Sequence, residues 1–283
     1  MNRFMNEYTG YPVTTESYMV RFLRENGTFI ALLCIIAVFT ILDPAFLTPR
    51  NLSNLTLQVT MIGIISIGMT VVILIGGIDL SVGSVVAMSA VGTTLLLRYG
   101  VPVYPAVAAG LVVFGGLTGL WNGFWVARFR IPAFIITLGM MTIGRGIALV
   151  MSEGSSVPVV DPLFPKLGGS YLSPVASVVV ITFCFGVYVF NMYNDVRQKK
   201  KYGMYIHTDK ITINLVSGVL ALFFSLYVFG TYRGIPLPVL IFFVLAIAFH
   251  FILVDTRFGR RIYAMGGNEE AARLSGINSF RMT

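Results

Sequence analysis

Charge is scarce in this chain of 283 residues: only 11% of the side chains are Asp, Glu, Lys or Arg, against 56% in the set AVILMFWYC. Soluble domains average about 25% charged. A soluble globule of this length has too much surface to hide so many apolar side chains. That scarcity excludes a soluble enzyme, a disordered chain and a fibrous protein, and leaves an all-α, polytopic membrane protein whose apolar surface meets lipid. Cysteine is also scarce. Cys34 and Cys184 lie inside apolar runs with no metal-like spacing, so they read as small apolar packing residues. With two histidines, no His-Glu-x-x-His run and no acids paired within one span, no catalytic centre, metal site or cofactor is expected. The absence of a Gly-x-x-x-x-Gly-Lys-Ser/Thr loop excludes an ATP site within the chain. A cleaved signal peptide is not expected either, because about 27 mostly polar residues precede the first apolar run.

What is present is a series of apolar runs. A spanning helix needs roughly 20 mostly apolar residues, and eight stretches fit: 28–46, 55–76, 80–97, 103–126, 132–151, 172–193, 211–230 and 236–254. Only Gly77, Ile78 and Asp79 separate the second from the third, so that break reads equally as a re-entrant segment or a broken helix. The expected organisation is a cytoplasmic N-terminal segment 1–27, a membrane domain 28–254 with a basic cytoplasmic loop at 194–210, and a cytoplasmic segment 255–283. The net charge of +8 fits the excess of Lys and Arg on the cytoplasmic side of membrane proteins rather than nucleic-acid binding. With the N-terminus inside, the inner segments hold 15 Lys and Arg and the outer segments only Arg50, Arg98, Lys166 and Arg233. The run Arg-Gln-Lys-Lys-Lys at 197–201 is read first as a topology-setting loop and second as an anionic-lipid contact.

Polar residues inside or beside spans are functional candidates, because burying them in lipid is costly. Asp79 follows the helix-breaking Gly76-Gly77 pair and precedes Ser81. It can cap the next helix, line a pathway, or do both. Arg145, late in the fifth span, needs a partner or water. His250 reads as an interfacial side chain. Asn122, Trp121, Phe134 and Thr137 are of the kinds that line a sugar path. Gly115, Gly119 and Gly123 fall at fourfold spacing, for internal helix packing or for a dimer interface.

After 254 the composition turns polar. Asn268 is a helix N-cap, Glu269 and Glu270 occupy the first turn, Ala271 and Ala272 favour helix, and Gly276 can end it. A Gly266-Gly267 hinge is expected before this short helix. A helix so short is marginal alone, so packing into a groove on a cytosolic partner is expected, with a surface-lying helix as the alternative.

Three stretches together resemble the permease subunits of bacterial ATP-binding cassette importers for monosaccharides. They are GGIDLSVGS at 76–84, NGFWVARFRIPAFIITLGMMTIGRGIAL at 122–149, and TRFGRRIYAMGGNEEAARLSGI at 256–277. Within the last, Glu270-Ala271-Ala272-x-x-x-Gly276 is similar to the loop by which importer permeases dock onto their ATPase. The long interval around 194–230 resembles the xylose or multiple-sugar branch. The resemblance implies a homodimer of permease subunits with a central sugar path, a cytosolic ATP-binding subunit and an extracytoplasmic sugar-binding protein. It implies docking through Arg260, Glu269, Glu270, Ala271, Ala272, Arg273 and Gly276, and the polar and aromatic residues at membrane depth, Asp79, Ser81, Asn122, Phe134, Thr137 and Arg145, are the candidates for the path. It also implies further spans beyond residue 283, hence a C-terminally truncated chain. A nucleoside or branched-chain amino-acid permease of the same fold, and an ion-coupled secondary transporter, are the alternatives.

Overall fold

A computed structural model describes residues 18–205 and 208–282. Residues 1–17, which include Arg3 and most of the expected N-terminal segment, lie outside the described residues. The chain divides into a unit ending at Leu52 and a larger one beginning at Ser53. The first unit contains α1 (Tyr18–Leu42), the turn 43–48 and the start of α2 (Pro49–Leu74). Asp43 accepts the Ala45 N–H at 2.8 Å, and the Asn51 amide donates to the Phe46 carbonyl at 2.8 Å, so the first run ends at 42 rather than 46.

The larger unit continues with α3 (Val82–Arg98), α4 (Val103–Ala109), a π-helical stretch Gly110–Gly116 and α5 (Leu117–Phe129), the last three forming one rod. Then come α6 (Ala133–Met151), a short α7 (Phe164–Gly169), α8 (Pro174–Lys201), α9 (Thr208–Ser225) with a π-helical end Leu226–Gly230, and α10 (Leu237–Asp255). Three short helices follow: α11 (Arg257–Gly267), α12 (Glu269–Leu274) and α13 (Ser279–Met282). Among the described residues, six helical segments are long and apolar enough to cross a membrane, and the apolar helices Gly27–Leu42 and Val82–Arg98 are shorter. Together they occupy the eight expected runs. No named strand occurs among the described residues. The helices expose large apolar side chains along their length, including Val59, Ile62, Phe183 and Phe243, as lipid-facing helices do.

Two ends of this helical assembly are built differently. At one end the 170–173 and 232–237 segments clasp through backbone bonds of 2.8 Å from Leu172 N–H to Ile235 C=O and from Leu237 N–H to Ser170 C=O. The fully buried Ser177 hydroxyl accepts the Ile235 N–H at 2.8 Å, and the Arg233 guanidinium lies 5.8 and 5.7 Å from the Tyr171 and Tyr232 rings. The buried cluster of Leu97, Val103 and Ala106, with Phe164 and Leu167 of α7 against it, closes the α3–α4 turn. The other end carries the 75–81 and 130–132 connections and α11 to α13.

Three features differ from the sequence expectation. Residues 194–201 are not loop: α8 runs on to Lys201, and the connection to α9 begins at Tyr202. An i,i+4 ion pair of 2.5 Å between Lys199 and Asp195 supports this extension, as do lysines at the negative helix end. Gly266 and Gly267 are the last turn of α11, not a hinge before α12. Cys34 and Cys184 are exposed on the helix surfaces, so neither is a core-packing residue.

Candidate functional site

The connection between α2 and α3 begins with Gly76 in the left-handed region, φ +80°. The chain then runs to Asp79, whose Oδ1 accepts both the Ser81 N–H at 2.7 Å and the Ser81 hydroxyl at 2.6 Å. Asp79 therefore fixes Ser81, the N-cap residue of α3, instead of capping the helix N–H groups itself. Ser81 is buried, and its hydroxyl in turn accepts a hydrogen bond of 3.2 Å from the side-chain amide of Asn122 on α5. From α6, the Thr137 hydroxyl lies 3.1 Å from the Ile78 carbonyl and 2.9 Å from the Ala133 carbonyl. One turn into α3, the Ser84 hydroxyl donates to the Met141 carbonyl at 2.7 Å. The break is therefore a well-ordered connection, tied to α5 and α6 by side-chain bonds. In an apolar surround each is worth more than on a wet surface.

Asn122 is 7% exposed, and its Oδ1 is buried without a hydrogen-bond partner among the described residues. A buried acceptor left without any partner costs about 1–3 kcal/mol, so this oxygen is placed to receive a donor from whatever occupies the space beside it. Beside it is a cavity of about 410 Å³, bordered by the 76–79 turn, by Gly119 and Asn122 of α5, by Arg130 and Pro132, and by Thr137 of α6. Met265, Glu269, Ser279 and Phe280 complete the wall. So the 255–283 segment does not hang free: it forms one side of the cavity that the 76–84 motif also borders.

Local chemistry explains how that segment folds. The Thr256 hydroxyl accepts the Gly259 N–H at 3.2 Å and caps α11, and Arg260 donates to the Asp255 carbonyl at 3.3 Å. Ile262 and Met265 turn inward and are buried. At Gly266 the approach is so close that a Cβ would lie 1.8 Å from the Leu74 carbonyl oxygen, which joins α11 to the last turn of α2 just before the 75–81 connection. Only glycine fits there, and this long-range contact explains Gly266 inside a helix, whereas a Cβ at Gly267 would meet nothing within 4 Å. The Asn268 side chain accepts the Ala271 N–H at 2.9 Å and starts α12. Gly276 ends it at φ +85°, with Ile277 N–H to Ala272 C=O at 3.1 Å and Gly276 N–H to Arg273 C=O at 3.0 Å. Those two bonds are the Schellman pattern.

Ala272 is buried, whereas Glu269, Glu270, Ala271, Arg273 and Gly276 are exposed. Leu274, which the sequence reading did not single out, is 81% exposed and follows Glu270 by four residues, one helical turn on the side away from Ala272. That i,i+4 relation to the glutamate was the available signal.

Asp79, Ser81, Asn122 and Thr137 are thus gathered into one site. Phe134 and Arg145 are not: both are exposed on α6 and neither borders the cavity. Trp121 is exposed and stacks edge-on with Trp125 at 5.5 Å. His250 is exposed on α10. A Cβ at Gly115 or Gly119 would meet nothing within 4 Å, so these two glycines do not serve helix packing within the chain.

Among the described residues, six helical segments long and apolar enough to cross a membrane, with a folded polar segment beside the 76–79 turn, define a polytopic helical membrane protein. Residues 51–283 match the family described as branched-chain amino acid transport system / permease component, and the chain belongs to that family. It is similar to the xylose transport system permease protein of Haemophilus influenzae, at 34% identity over 88% of this chain and 67% of that protein. The Escherichia coli xylose transport system permease protein is 35% identical over 88% of this chain and 64% of its own length. The ribose import permease protein of Haemophilus influenzae is 32% identical over 94% and 64%. The chain thus spans about two thirds of the length of the curated relatives it matches. No solved structure matches it. Membership places the chain in the cytoplasmic (inner) membrane as a transport component.

Proposed function

We propose that this chain is the membrane-spanning subunit of an ATP-driven importer that moves a monosaccharide into the cell. The relatives are named for xylose and ribose, and one at 30% identity for L-arabinose, which favours a sugar over a branched-chain amino acid or a nucleoside. In this reading the N-terminus is cytoplasmic, a second permease subunit completes the path, and an extracytoplasmic binding protein delivers the cargo. ATP is hydrolysed on a separate cytosolic subunit that meets the α12 surface. Glu269, Glu270, Ala271, Arg273 and Gly276 belong to that contact, and Leu274 supplies its apolar anchor. Ala272 and Arg260 act within the chain, one as the buried pin of α12 and the other as a clamp on the end of α10.

The observation that carries the reading is that this segment is bound to the transmembrane part at a defined point. Movement of α12 passes through α11 and Gly266 to the end of α2, and from there into the turn held by Asp79 and Ser81. The cavity beside Asn122 is the inner mouth of the path. Its neutral polar groups suit a polyhydroxylated cargo. The Asp79 carboxylate is engaged by Ser81 and holds the turn in place.

The test is Glu270→Arg and, separately, Leu274→Asp, in cells that also produce the ATP-binding subunit and the binding protein. Membrane insertion is expected to be unchanged, while co-purification of the ATP-binding subunit and sugar uptake are lost. Full uptake in both variants would refute the docking surface.

A further inference from the structure

The inner end of α8 carries a feature that transport does not use. Its 28 residues span about 42 Å at 1.5 Å per residue, whereas the hydrocarbon layer is about 30 Å thick. The apolar part from Pro174 to Tyr193 alone fills that layer, so the last two turns, 194–201, stand beyond it. At 100° per residue, Phe190, Tyr193, Arg197, Lys200 and Lys201 fall on one stripe within an arc of about 100°. Reading down the stripe, the side chains go from apolar to aromatic to cationic, the order met on passing from acyl chains through the interface to the headgroups. All five are exposed, Phe190 by 62% and Tyr193 by 61%.

Two contacts show which way the stripe faces. The Tyr188 hydroxyl donates to the Asn214 carbonyl of α9 at 2.8 Å, and Tyr188 lies on the opposite side of α8, so the stripe points away from α9. The acid of this helix end, Asp195, is also on that opposite side and is neutralised by Lys199 at 2.5 Å. Arg197, Lys200 and Lys201 are left as three like charges on the outward face.

We propose that this stripe is a binding site for anionic phospholipid headgroups of the cytoplasmic leaflet, with Arg197, Lys200 and Lys201 on the phosphate and Tyr193 and Phe190 against the glycerol and upper acyl region. Cations at a membrane surface attract anionic lipid in a salt-dependent way. The pairing of Lys199 with Asp195 makes the site one-sided.

The proposal is tested with the intact protein in phosphatidylcholine membranes. Spin-labelled phosphatidylglycerol and spin-labelled phosphatidylcholine report how much of each is held at the protein surface. The native chain is expected to prefer phosphatidylglycerol, less so at high salt. The triple variant Arg197→Gln, Lys200→Gln, Lys201→Gln should lower that preference by about fivefold per cation, about a hundredfold for the three at most. Lys199→Gln should leave it unchanged. The triple variant still leaves the inner side well ahead in Lys and Arg, so insertion is retained and is checked by protease protection. An unchanged preference in the triple variant, or an equal loss in Lys199→Gln, would overturn the proposal. So would a triple variant that keeps its lipid preference but no longer co-purifies with the ATP-binding subunit, which would assign the stripe to a protein partner.

Discussion

Replacing Gly266 by alanine isolates the mechanical joint between α11 and α2. A Cβ at this position would lie 1.8 Å from the Leu74 carbonyl oxygen, about 1.2 Å short of the 3.0 Å that side-chain carbons respect. The obstacle is backbone in the last turn of a helix, so it does not swing aside. α11 must then withdraw from the end of α2, or the 75–81 turn must shift. Overpacking of this kind costs about 1–3 kcal/mol, partly offset by the better helix propensity of alanine, about 1 kcal/mol. The neighbouring Gly267→Ala is the control, since a Cβ there meets nothing within 4 Å. It should gain the propensity without the clash. Thermal unfolding in detergent is therefore expected to separate the two variants, with Gly267→Ala at or above the parent and Gly266→Ala below it. Sugar uptake should fall in Gly266→Ala while co-purification of the ATP-binding subunit persists, because the α12 surface is untouched. Equal melting and equal uptake in the two variants would refute a rigid contact at Leu74.

Ser81→Ala removes the hydroxyl that joins Asp79 to Asn122, leaving the half-buried Asp79 and the buried Asn122 each short of one bond. A loss of about 1–3 kcal/mol is expected in a denaturation series, and Ser84→Ala, which removes a single bond to the Met141 carbonyl, should cost less. Asn268→Ala deletes the cap of α12, worth about 1 kcal/mol. In so short a helix that suffices to fray it, which faster hydrogen exchange at Ala271 and Ala272 would report.

The spans were legible because their signal is composition over about 20 residues, and composition needs no partner. The same holds for the local chemistry of 268–276, where Asn268, the two glutamates and Gly276 announce a cap, a first turn and a stop. The joins were not legible. Gly266 and Gly267 carry the signature of a breaker, and what overrides it is a carbonyl oxygen nearly two hundred residues earlier. Asp79, Ser81, Asn122 and Thr137 are all candidates by residue type, but the bonds from Asp79 through Ser81 to Asn122, and from Thr137 to the Ile78 carbonyl, depend on the register of α3, α5 and α6. Arg145 and Phe134 carry polar and aromatic labels as strong as those of Thr137, yet they point elsewhere on the same helix. The run at 197–201 reads as loop because lysine is usually solvent-exposed in either state. Its helical form rests on the Asp195 to Lys199 pair and the continuous turn above it.

The polar contacts at the end of the molecule that carries α11 to α13 form a chain with a direction. Beginning at the exposed Glu270 and Leu274, the links are the buried Ala272, the capped turn at Asn268, the glycine seated on Leu74, the turn fixed by Asp79 and Ser81, and finally Asn122. Each link but the last is satisfied by a bond or a close contact. The Asn122 Oδ1 is the buried acceptor left over. Asn122 borders the cavity that Glu269 of α12 also borders. A displacement of α12 that carries the end of α2 and the 75–81 turn with it is therefore expected to change the shape of this cavity at Asn122, because the side-chain amide is tied to Ser81 and through it to Asp79.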